Sequence, residues 1–189
     1  MQSDEPLKKR GLSLEETFFK KQDAELLGKL RQQRLSEVTK EDIAAATGIR
    51  DDVLLERLVA MEINLQTLTA LSVVPLVEVA WADGRIEKNE RDAVLQAADE
   101  AGIPKDGPGH KLLEEWLDAK PDMALLSCWK DYIAALAHTM DDESYAQVRD
   151  NLLGRAREVA EAAGGILGLG SISGVEQKKL DELKAAFAK

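Results

Sequence analysis

The chain has 189 residues, enough for one well-filled core and at most an appendage. Hydrophobic residues make up 44% of it and aromatic ones only 4%, and the apolar share is mostly Ala and Leu, which argues for helices and against a β-rich fold. Its net charge of −10 is unevenly spread: residues 1–35 carry 8 basic and 6 acidic side chains and the remainder carries 17 and 29, so the body repels phosphate backbones and anionic membranes. Cys128 is the single cysteine, which excludes an internal disulfide framework or a thiolate metal cluster and fits a reducing compartment. The opening MQSDEPLKKRG lacks the apolar stretch of a secretory signal, and no run approaches the roughly 20 apolar residues of a membrane span, so a cytoplasmic location is expected.

Leu12-Ser13-Leu14-Glu15-Glu16 reads as a helix start, with Ser13 accepting from the third helical amide and Glu16 reaching back to the cap. Leu14, Phe18, Phe19, Leu26, Leu27 and Leu30 then recur at helical spacing among charged residues, predicting an amphipathic arm to about residue 35. Thr39 with Asp42 reads as a second cap, for a helix over Ile43 to Thr47 that Gly48 ends in the left-handed conformation. Another helix begins near Asp51. The stretch from Val53 to Ala82 is too densely apolar for a single stripe and must be central; Pro75 kinks or restarts it, and two helices, about 51–63 and 66–82, are expected.

After a turn at Asp83-Gly84, a helix runs from Lys88 to Ala101, closed by Gly102 and Pro104. Pro108 suits the first turn of a short helix bearing Leu112, Leu113, Trp116 and Leu117 on one side. Pro121 opens the next, with a stripe of Leu125, Trp129, Tyr132, Ile133, Leu136 and Met140. Asp141 or Asp142 caps a long helix in which Tyr145, Val148, Leu152, Ala156, Val159 and Ala163 step by three or four. Gly164-Gly165 ends it, a glycine-rich connection follows, and Ser173 with Glu176 makes a capping box for a last helix to about Ala188. The organisation expected is all-α: an amphipathic arm over 1–35, a helix-turn-helix-like extension over 36–64 and a compact helical domain over 66–189.

The most informative segment is Ala80-Trp81-Ala82-Asp83-Gly84-Arg85-Ile86-Glu87-Lys88-Asn89-Glu90, a corner between two helices. Gly84 permits a positive φ, Asp83 can bond the turn's amides, Ile86 plugs the corner into the core, and Glu90 falls in the next helix's first turn, where a carboxylate is favoured. Asp83, Gly84, Ile86 and Glu90 also match the fifth to twelfth positions of an EF-hand loop. The first and third ligand positions, however, fall on Val79 and Trp81, which offer no side-chain oxygen, so the capped corner is the better reading. Gly170-Ser171-Ile172-Ser173-Gly174-Val175-Glu176 repeats the spacing of Gly84, Ile86 and Glu90, with Leu169 in place of the aspartate, suggesting two related hairpins around one core.

With these residues in view, the segment VPLVEVAWADGRIEKNERDAVL resembles the first hairpin of the tellurite-resistance TerB-like domains, compact all-α folds, and the resemblance extends over residues 66–188. It implies a stress-related module without catalytic activity, linked to metal-related phenotypes and to complexes at the inner face of the membrane. By matching position, an acidic family site falls on Asp83 and Glu90, with Glu87 nearby; no cofactor is expected, and a divalent cation is the one candidate for that site. Leu169 departs from the pattern and puts a second pair of carboxylates in doubt.

Other constellations are weaker. His110 and Glu114, four apart on a helix, have metal-ligand spacing but read better as a surface pair, and His138 lies near Asp141 and Asp142 on another element. Cys128, flanked by Leu125, Leu126 and Trp129, reads as a buried small residue rather than a nucleophile. The glycine-rich stretch lacks a P-loop ending. Residues 41–58 have a rival reading as a DNA-binding helix-turn-helix, but Asp51, Asp52 and Glu56 beside Arg50 and Arg57 make a poor surface for the major groove. The function expected is therefore a helical interaction module with an unidentified protein partner, through which it could reach a membrane; a second copy of the chain stays open as a partner. A metal-responsive acidic protein, an unrecognised enzyme and a DNA-binding regulator are the alternatives.

Overall fold

The computed structural model describes residues 35–163 and 172–188, together with Leu26, Gly28 and Lys29. It divides into two units, Met1–Thr39 and Lys40–Lys189. Residues 40–64, read from the sequence as a separate extension, thus fall in the same unit as 66–188. The predicted arm before residue 35, apart from those three residues, and the glycine-rich connection 164–171 lie outside the described residues. In the first unit, residues 35–39 are helical, and the Thr39 hydroxyl donates to the Leu35 carbonyl at 2.7 Å. Thr39 is thus a helix-interior residue rather than the expected cap, its hydroxyl serving the preceding turn.

The second unit is all-α among its described residues. It opens with α1, helical over 40–47, which ends where Gly48 adopts φ 75°. Asp51 then caps α2 (Asp52–Ala60), its carboxylate accepting from the Leu54 amide at 3.1 Å. Where one helix over 66–82 was expected, a 3-10 segment (Leu68–Val73) leads into the short α3 (Val74–Ala80). Pro75 explains the break: lacking an N–H and fixed in φ, it can begin a helix but not carry the ladder through.

The remaining helices are α4 (Lys88–Glu100), α5 (Pro108–Asp118), α6 (Met123–Thr139), α7 (Asp142–Ala163) and α8 (Gly174–Ala185). Pro121 does not open α6; Asp122 caps it, accepting from the Ala124 amide at 2.8 Å. Asp141 serves α7 in the same way, accepting from the Ser144 amide at 2.8 Å. The centre is α3, with every residue but Glu78 buried, and α4, α6, α7 and α8 all contact it. The density of apolar residues that ruled out a single stripe is met by helices on several sides.

Glu78, the one charged residue of α3, pairs with Lys179 of α8 at 3.1 Å; Lys179 also meets Glu182 at 2.9 Å, and Glu182 meets Lys130 of α6 at 2.6 Å. Phe187, just past α8, completes the core by packing edge-on against Trp129 and tilted against Tyr145, with ring centroids 5.8 Å apart in both pairs.

Candidate functional site

The corner between α3 and α4 assembles from local rules. Helix α3 stops at Trp81, whose carbonyl accepts from the Gly84 amide at 3.0 Å, and Gly84 turns the chain at φ 92°, where a side chain is disfavoured. Asp83 accepts from the Arg85 amide at 3.1 Å and lies 3.4 Å from its guanidinium, which also reaches Glu87 at 3.5 Å. Ile86 packs against the core. Glu90, the third residue of α4, turns back to accept from the Glu87 amide at 2.7 Å and is buried, only 4% exposed. The corner is held to α5 as well, because the Trp81 indole donates to the Trp116 carbonyl at 2.8 Å and Lys120 donates to the Trp81 carbonyl at 3.3 Å.

Helix α8 begins in the same way. Glu176, its third residue, accepts from the Ser173 amide at 2.6 Å, the Ser173 hydroxyl accepts from the Glu176 amide at 3.3 Å, and Glu176 is buried at 6% exposure. Ile172 packs on the core as Ile86 does. Gly170, the remaining turn position expected from the sequence, lies outside the described residues. Burial pushes the Glu90 carboxyl up to about 7, opposed by the Glu87 amide and assisted by the negative charge of Asp83, Glu176 and Glu87.

The three expected ligands thus do not converge. Asp83 and Glu87 meet through Arg85 at the surface, whereas Glu90 faces inward to a backbone amide. Among the described residues no group of three or more His, Cys, Asp or Glu side chains is arranged to hold a metal ion. What the corner can do chemically is hold a proton on Glu90 near neutral pH.

His110 is not half of a surface pair. It is buried, its Nδ1 lies 3.7 Å from Glu114 Oε2, and that nitrogen has no hydrogen-bond partner among the described residues. The start of α5 packs against the turn before the 3-10 segment, where a Cβ on the preceding Gly109 would lie 3.4 Å from the Gln66 carbonyl, an ordinary contact. Cys128 is buried, and burial raises its thiol above the ordinary range. Two basic groups of α1 and α2 face carboxylates: Lys40 reaches Asp52 and Glu56, and Arg57 pairs with Asp131 of α6. Sequence reasoning missed the inward turn of Glu90, although the matching glutamate spacing at the two helix starts carried the signal.

No helix among the described residues is long and apolar enough to cross a membrane. Comparison with protein-family models, with curated proteins and with solved structures finds no match to this chain.

Proposed function

We propose that this chain is a non-catalytic helical interaction module of the TerB-like type, acting in a stress response through a protein partner. One observation carries the reading. The second helices of the two hairpins, α4 and α8, start with the same device, a buried glutamate at the third position bonded back to the residue before the helix. This repeated hairpin start is what the resemblance to TerB-like domains implies for the fold. The surface the corner offers a partner is Asp83, Gly84 and Arg85, all exposed.

The test separates this reading from the metal-responsive alternative. Asp83→Ala removes the carboxylate that accepts from the Arg85 amide and should cost about 0.5–2 kcal/mol, equally in chelator and in millimolar calcium or manganese. Thermal melts of both proteins measure it. An ion-dependent gain in the wild type alone replaces the interaction module with a metal-responsive protein. Capture of tellurite-resistance-type proteins from the native cell, lost in the Asp83 variant, supports the module; duplex DNA binding that survives physiological salt supports the regulator instead.

A further inference from the structure

A cavity of about 610 Å³ opens between α1, the 3-10 segment, α6 and α7, away from the corner. Leu68, Leu71, Tyr132, Leu136, Met140 and Leu152 give it apolar walls, and its volume falls within the range of about 300–1,000 Å³ typical of small-molecule sites. One face of α7 supplies a different chemistry. Val148 and Leu152 continue the apolar wall, while Asn151 and Arg155, one helical turn apart, add an amide and a guanidinium to the lining.

Arg155 differs from the other two arginines of α7. Arg149 meets Asp150 at 2.8 Å and Arg157 meets Glu161 at 3.0 Å, whereas Arg155 has no carboxylate partner among the described residues. It is half-buried in a strongly acidic body, yet the one charged side chain lining this cavity among the described residues is a cation. An open apolar cleft whose described lining offers one guanidinium without a carboxylate partner, and a neighbouring amide, matches an alkyl chain ending in one carboxylate, which a guanidinium binds through two parallel hydrogen bonds. A single cation in this acidic setting balances a monoanion better than a phosphate dianion.

We propose that this cavity binds a medium-chain fatty acid, with the alkyl chain against α6, α7 and the 3-10 segment and the carboxylate on Arg155 and Asn151. The site is independent of the corner and of the TerB-like reading.

The full-length protein is titrated with dodecanoate below its micelle concentration, followed by calorimetry and by tryptophan fluorescence, Trp129 being part of the wall. Dodecanoate should bind saturably, one per chain, and dodecanol about tenfold or more weaker, the factor expected for one charge-assisted contact. Arg155→Gln should bring dodecanoate to the dodecanol level and leave dodecanol unchanged. Asn151→Asp, which sets a carboxylate one turn from Arg155, should weaken dodecanoate by a similar factor and serves if the first variant does not fold. Absence of saturation, equal affinity for dodecanoate and dodecanol, or a folded variant of either kind that binds dodecanoate as tightly as the wild type overturns the proposal.

Discussion

Glu90 concentrates the physical tension of the corner in one carboxyl group. Its bond to the Glu87 amide favours the charged form, but burial outweighs that bond and the acidic neighbours add to it. The folded-state value of about 7 lies above the ordinary 4.5, so the folded chain holds the proton more firmly than the unfolded one. The resulting stability is fully present below 4.5 and is lost as pH rises through about 7. Glu90→Gln keeps an oxygen for the amide and removes the titration. The stability difference between wild type and variant, from urea unfolding across this range, should change by roughly 2–3 kcal/mol, with the variant gaining relative to wild type as pH rises. A constant difference would mean that Glu90 titrates normally. The sequence placed Glu90 in the first turn of α4, but its depth depends on the packing of α4 against α3 and α7, which spacing along one segment does not encode. His110 is the same lesson: a four-residue interval suggested a surface pair, and only the packing of α5 against the 3-10 segment shows it to be buried.

At the scale of elements, the helices carrying local signals were legible. Asp51, Glu90 and Ser173 with Glu176 mark helix starts, while Gly48 and Gly102 turn the chain with positive φ at helix ends. The segment before Pro75 was not legible, because a continuous apolar run suits either an α-helix or a 3-10 turn and the proline forbids only one ladder bond. The charges between elements likewise follow from the packing. Burial pushes the Lys179 ammonium down, but bonds to Glu182 and Glu78 outweigh it and its titration is raised overall; Glu182, held by Lys130 and Lys179, is lowered. Lys179→Met should therefore cost about 1–3 kcal/mol, since it leaves the largely buried Glu78 without its cation. Adding Glu78→Leu should recover much of that loss. Denaturant midpoints of the single and double variants check this, and purely additive losses would show that the pair is not coupled.

For the whole molecule, the described core draws on residues from Ile43 to Phe187, all within the second unit. Removal of residues 1–35 should leave a chain that still unfolds in one cooperative transition, with its helical circular dichroism preserved. A broad, non-cooperative melt would show that the removed segment completes the core. The same core has a kinetic reading through Cys128, which is the chain's only thiol, 1% exposed and weakly acidic through burial. Alkylating reagents require a thiolate that solvent can reach, so their rate on the native protein is the open fraction of the core around α6 multiplied by the reactivity of the exposed thiol. One sulfur atom therefore serves as an internal gauge for the centre of the fold, reporting an open population too small to alter any average property of the molecule.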